Sequence, residues 1–320
     1  MATGNSNFTK LVTTTLQNLP SEIFDAVSTN NALLYMLQKN GNLKVMTGGR
    51  SFTHPIYYKK NTSFKSYNKT DTIDTPLMDD ITRAEYPIRI VAGSVVLSLL
   101  EEAMNNGSKE KLIDLVDETV TRAKISMAEV LGDQVFNDGS GDKDFDGLPF
   151  LINSAPDGQS DVGGIDASAT GNTYWRNQIG TTADFSATAA TSLSKMSALV
   201  AACTFGRHGP RLVVTTKTLY SEYEAMLTSN IRYVTTELAD AGFLHLAYQT
   251  MPLVFDDNCS SGEMYFIDTD NLWLQVLARG NMQLTDMQPS HDQLMKVALL
   301  YLFGNLTTGS RRTNGFHPWS

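Results

Sequence analysis

Asp142, Asp144 and Asp146 alternate along a short stretch closed by Gly147. Alternate carboxylates on a tight turn converge on one cation, and the glycine permits the bend, so this is the first half of a calcium-binding loop. The twelfth position, where a bidentate Glu belongs, is Asn153, and Pro149 stiffens the second half. An acidic turn without a metal is the expectation. His54, His208, His245, His291 and His317 are scattered with no second ligand at helical spacing, which reads as surface or satisfied core histidines. Ser140 sits in Gly139-Ser140-Gly141, where the glycines stand at the wrong offsets for a nucleophile elbow. No Gly-Lys-Ser or Gly-Lys-Thr exists to cradle a phosphate. Asp256, Asp257 and His291 would serve an acid-dependent hydrolase only if the fold gathered them in one cleft. Cys203 and Cys259 suit neither a disulfide scaffold nor a zinc site and read as buried thiols. No catalytic, cofactor-binding or metal-ligating set is therefore expected.

The elements that would position these residues are legible in part. Asn18 to Lys39 has a helical pattern, with Pro20 in the first turn, Ser21, Glu22 and Asp25 near its positive end, and Gly41 as a stop. From Ser51 to Ser98 the period becomes two: Phe52, His54, Ile56 and Tyr58 share one face, and Tyr86, Ile88, Ile90 and Ala92 another. Pro55 and Pro87 argue against central strands, so a two-legged ribbon projecting from the body is expected, in need of a neighbour to lie on. Ser108 opens the strongest helix, running to about Phe136, with Leu112, Leu115, Val116, Thr119, Val120, Ala123, Met127, Val130 and Leu131 as its apolar stripe. Beyond it come helices over Ala187 to Cys203 and Lys217 to Leu227. Strands are expected at Arg211 to Thr215, Leu253 to Phe255, Met264 to Ile267 and Leu272 to Leu277.

At 320 residues and 42% hydrophobic, the chain can bury one large core or two smaller ones. Its net charge is -9, yet Ala26 to Thr70 contains seven lysines and arginines and no carboxylate, so the remainder carries -16. A basic arm on an acidic body suits a self-complementary assembly; a solvated basic face is the plain alternative. Contact with nucleic-acid phosphates is weaker, because no clustered arginine run is present. The start lacks the basic and apolar regions of a signal peptide, and no apolar run reaches membrane-spanning length, so a cytoplasmic origin without a membrane step is expected.

Asp146-Gly147-Leu148-Pro149-Phe150-Leu151-Ile152, Val162-Gly163-Gly164-Ile165-Asp166-Ala167-Ser168 and Tyr174-Trp175-Arg176-Asn177-Gln178 together resemble a signature of tailed-bacteriophage major capsid proteins. The tail, Leu299 to Thr307 followed by Arg311-Arg312, resembles that family's closing strand. The resemblance implies an α+β chain of Hong Kong 97-type fold, with an N-terminal arm (1-47), an extended β-ribbon loop (48-98), a peripheral domain carrying a long spine helix (99-186 and 279-320) and an axial domain (187-278).

The implied function is a major capsid protein, not an enzyme, self-assembling as pentamers and hexamers into an icosahedral virion head made in the host cytoplasm. Expected partners are other copies of the chain, scaffolding and portal proteins, in some relatives a decoration protein, and double-stranded DNA held without sequence recognition. The chain begins almost at the arm, without a long charged helical leader, so a separate scaffolding protein is expected. Arg50, Lys59, Lys60, Lys65, Lys69, Trp175 and Arg176 are candidates for inter-subunit contact. Some relatives join a ribbon lysine to an asparagine of a neighbour, which would make Asn305 the acceptor here; ordinary exposed lysines are the favoured reading. The shell of a prokaryotic nanocompartment shares the fold and is the alternative function.

Overall fold

A computed structural model describes residues 31–73, 75, 79–100, 104, 109–158, 161–181, 189–227 and 245–319, with the side chains of 109–117, 189–190 and 245 left aside. The helix Ala32–Lys39 is capped by Asn31, whose Oδ1 accepts the Leu34 N–H at 3.0 Å, and ends before Gly41, which has φ +71°. Pro20, Ser21, Glu22 and Asp25 lie outside the described residues. β1 (Leu43–Met46) follows.

β2 (Ser51–Tyr57) and β3 (Ile81–Pro87) form the two-legged ribbon, antiparallel with Ser51 opposite Pro87 and Tyr57 opposite Ile81. Both prolines thus lie in a sheet without a central strand. The ribbon does not simply project, however. Phe52, His54, Ile56, Ala84 and Tyr86 are all buried, because this chain's own body covers one face of the base: Tyr86 Oη donates to Thr308 O at 2.9 Å. On the opposite face Thr53, Pro55, Tyr57, Arg83 and Glu85 stay exposed.

The expected alternation also fails beyond Pro87. β4 (Arg89–Ser98) buries Val91, Val95 and Leu97 and leaves Ile90 61% exposed. The chain leaves the ribbon at Ile88 and enters another sheet, which resets the inward face by one residue and turns Ile90 and Ala92 outward.

The long helix Lys109–Val135 has 27 residues, about 40 Å of rod at 1.5 Å per residue. Val120, Met127 and Leu131 are buried and Thr119 and Ala123 half-buried, whereas Val130 is 42% exposed at the edge of the stripe. Ser108 and the side chains of Leu112, Leu115 and Val116 lie outside the described set. Among the described residues no helix is long and apolar enough to cross a membrane.

A short helix, Leu148–Leu151, and a 3-10 turn, Thr170–Trp175, lead to β5 (Gln178–Ile179). The helix Ala189–Cys203, β6 (Leu212–Thr215) and the helix Lys217–Met226 follow. Then come β7 (His245–Tyr248), β8 (Met251–Phe255), β9 (Glu263–Ile267) and β10 (Leu272–Leu277). β11 (Gln283–Leu284), β12 (Gln288–Pro289), β13 (Met295–Thr308) and β14 (Gly315–Pro318) complete the chain.

Two mixed six-stranded sheets organise the body. In the first, β13 is the hub: Met295 to Gly304 ladder with β4, and the opposite edge takes β12, β11 and β10 in turn, with β1 parallel outside β10. The second runs β5-β14-β9-β6-β8-β7, with β6–β8 and β5–β14 parallel. β13 and β14, six residues apart, enter different sheets. The core follows this plan, a large cluster around Trp175, Tyr86 and Leu306 and a smaller one around Met196, Tyr223 and Phe266.

Candidate functional site

The three stretches Asp146 to Ile152, Val162 to Ser168 and Tyr174 to Gln178 meet in one buried knot. Gly147 is required there because a Cβ would collide with the Asn137 backbone just after the long helix. Gly163 and Gly164, with φ +62° and +71°, bend the Val162–Ile165 loop back on itself. Gly163 O then accepts the Glu85 N–H of the ribbon at 2.8 Å. Trp175, 1% exposed, donates from Nε1 to Val162 O at 2.8 Å. It is a packing anchor whose side chain lies wholly within its own chain.

Arg311 locks this knot. Fully buried, it donates from Nε to Leu151 O (2.8 Å), from Nη1 to Trp175 O (3.0 Å) and from Nη2 to Asn177 Oδ1 (3.0 Å). Its planar fork ties two of the three stretches, 146–152 and 174–178, with no carboxylate among these acceptors, and burial pulls its pKa down to about 10. Arg176 spends its guanidinium on Ala167 O (2.7 Å) and Ser168 O (3.0 Å). Asn177 also ties Asn153 at both backbone groups.

The acidic turn and its neighbour Asn305 form a second tie. Asp146 is 3% exposed; its Oδ2 accepts from Asn305 Nδ2 at 2.8 Å, and Arg89 Nη2 stands 3.7 Å from Oδ1. Burial raises its pKa, against the lowering pull of Asn305 and Arg89. Asp144 turns instead towards Gln134. The three carboxylates of the sequence pattern thus do not face one point, and no cluster of three or more metal-ligating side chains occurs among the described residues. Asn305, fully buried, also donates to Pro87 O at 2.9 Å and accepts the N–H of Asp146 at 2.9 Å. An amide committed on both sides and sealed from solvent is poorly placed to accept a neighbour's lysine, which argues against the cross-linking alternative at Asn305.

The hydrolase residues do not assemble either. Asp256 is buried at the end of β8, where burial pushes its pKa up to about 6. His291 stands in solvent on the β12–β13 turn of the other sheet, its side chain 98% exposed and paired with Asp292. Cys203 and Cys259 are free and buried. His54, under the ribbon, stacks on Trp273 (4.6 Å, 14°) and bonds Thr307 Oγ1 at 3.0 Å. Burial first and Lys44 second lower its pKa to about 4.

Arg50, Lys59, Lys60, Lys65 and Lys69 are all exposed. Lys59 lies over Tyr58 and Lys65 over Tyr67. These five cations therefore lie outside the internal ties described above.

No family model and no curated protein matches the sequence. Solved structures do match the fold. The capsid asymmetric unit of cyanophage A-1(L) superposes with TM-score 0.66 at 12% identity, over 88% of this chain and 91% of that one. This chain has the Hong Kong 97-type capsid fold. The virus-like particle from Pyrococcus furiosus matches at TM-score 0.53 and 12% identity, over 94% and 98% of the two chains. An encapsulin complex from Synechococcus elongatus matches at 0.56 and 10%, over 88% and 86%. The capsid-fold assignment accounts for the order of ribbon before long helix expected from the sequence. Asn177 and Arg311 both fall within the stretches that carry the resemblance, yet nothing in the sequence separates the buried Arg311 from the exposed Arg312 beside it.

Proposed function

We propose that this chain is the major capsid protein of a tailed double-stranded DNA bacteriophage, forming pentamers and hexamers that close into an icosahedral head. The observation that carries the reading is that a fold shared with shell subunits spans 88% of this chain and 91% of the cyanophage chain. In this reading 1-47 is the arm, 48-98 the extended loop, 99-186 with 279-320 the peripheral domain and 187-278 the axial domain. Arg50, Lys59, Lys60, Lys65, Lys69 and Arg176 would contribute to contacts between copies, Arg176 by shaping its own loop. Scaffolding and portal proteins, and packaged DNA held without sequence recognition, are the partners such a head takes, assembled in the host cytoplasm.

Electron microscopy of the chain expressed with its neighbouring genes tests this. Closed particles of uniform diameter are expected, and a persistent monomer or small oligomer would refute it. A nanocompartment shell is the second reading, supported by the match to the encapsulin complex from Synechococcus elongatus over 88% of this chain. Packaged DNA supports the phage head, and an enclosed enzyme supports the compartment.

A further inference from the structure

A cleft of about 580 Å3 opens beside the ribbon. Residues 55–60 form one wall, Tyr174 a second, and Phe205, His208 and Arg312 a third. Tyr58 stacks on Tyr174 with ring centroids 4.8 Å apart. The Arg312 guanidinium lies 4.8 Å over the Phe205 ring, and the Lys59 ammonium 5.0 Å from that of Tyr58. Each aromatic wall therefore already carries a cation. Among the described residues no Asp or Glu lines the cleft, and Lys59, Lys60 and Arg312 form no ion pair there. At the rim Tyr57 and Phe205 are 75% and 61% exposed.

We propose that this cleft docks a carboxylate-bearing segment of a second copy of this chain. The inference rests on the shell reading and deepens it by naming what these cations meet. Three cations lining one hollow, two of them over aromatic rings, suit one or two carboxylates on a short peptide, with the chain lying against the rings. The complement is on the same molecule: outside Ala26 to Thr70 the chain carries -16, so every copy that presents the cleft also presents an acidic body. A duplex is a poorer fit, since it asks for cations repeated along its length, whereas these surround a single hollow. Covering the rim would also shelter two large apolar side chains.

The test uses assembled particles of the full chain. Particles built from a mixture of light and nitrogen-15-labelled copies are treated with a carbodiimide, which couples a lysine amine to a touching carboxylate. Peptides joining Lys59 or Lys60 to an Asp or Glu, half of them pairing a light with a heavy copy, are expected. The double variant K59R/K60R should still assemble and lose those joined peptides, because arginine does not couple. K59E/K60E, with thermal unfolding unchanged, should raise the protein concentration needed for assembly more than about tenfold, since like charges would meet in the cleft.

Wild-type chains that never form particles overturn the shell reading and the inference with it. Particles whose Lys59 and Lys60 couple only within one copy, or not at all, overturn the inference alone. So does normal assembly of K59E/K60E with loss only of bound DNA, which would assign the cleft to nucleic acid.

Discussion

Replacing Asn305 by Leu removes one side chain and disconnects three parts of the molecule. Asn305 bonds Pro87 O at the ribbon exit, and both the N–H and the carboxylate of Asp146, all at 2.8–2.9 Å inside the core. Leucine has nearly the same volume, so packing is conserved and the effect is polar. Leaving a buried donor or acceptor unsatisfied costs about 1–3 kcal/mol each, more at a charge. Three vacated partners, softened by some water entry, give a loss of about 3–6 kcal/mol, a large part of the stability of an ordinary domain. The loss has a pH signature. Burial already holds the Asp146 pKa above its unfolded value and Asn305 opposes that shift. A carboxylate with a raised folded pKa favours the fold most at low pH, and that contribution fades as pH rises through the folded value. Without Asn305 the shift grows, so the deficit of N305L should narrow as pH falls through the raised pKa of Asp146. Urea unfolding of the unassembled chain at several pH values measures this. A deficit under about 1 kcal/mol at pH 7, within the range of an ordinary surface substitution, would refute the tie and reopen Asn305 as an acceptor for a neighbour's lysine.

Arg311→Lys should destabilise nearly as much as Arg311→Met, by about 2–5 kcal/mol in thermal or urea unfolding, because an ammonium cannot reach Leu151 O, Trp175 O and Asn177 Oδ1 together. Arg312→Lys, one residue on and exposed, should leave stability unchanged in the same assay. Cys203 and Cys259 should resist a thiol reagent at pH 8 in the native chain and both react once it is unfolded, since burial raises both pKa values, that of Cys203 to about 12. The His54 pKa is about 4, below its unfolded 6.5, so the fold disfavours its protonation and loses stability as pH falls across that window. His54→Phe should remove this slope in acid titrations and, with it, a quenching of the stacked Trp273 below about pH 5.

Local pattern revealed what local physics decides. The 3.6-residue stripe around Val120, Met127 and Leu131 marks the long helix, and the alternation of Phe52, His54 and Ile56 marks the ribbon, since each signal lies within one element. The turn at Gly163-Gly164 is legible because the backbone there needs positive φ. What stayed hidden depends on pairing across long separations. Nothing near Ile88 announces that the chain changes sheets there. The burial of Arg311 contradicts its type, and it arises from three carbonyl-type acceptors drawn from residues 151, 175 and 177. Ser140 and the Asp142–Asp146 row look chemical in sequence because spacing says nothing of which way each carboxylate turns.

The placement of β13 has a consequence for synthesis. Every strand it pairs with, β4, β10, β11 and β12, is made before it, and Thr307 and Thr308 hold the underside of the ribbon. Between the end of β4 and the start of β13 the ribosome adds about 200 residues, roughly 10–40 s at bacterial rates of about 5–20 residues per second. Throughout that interval the edge of β4 waits unpaired and the ribbon has no seat. A chain that stops early therefore lacks the Thr307 and Thr308 contacts beneath the ribbon. Completion of β13 is the event that seats the ribbon.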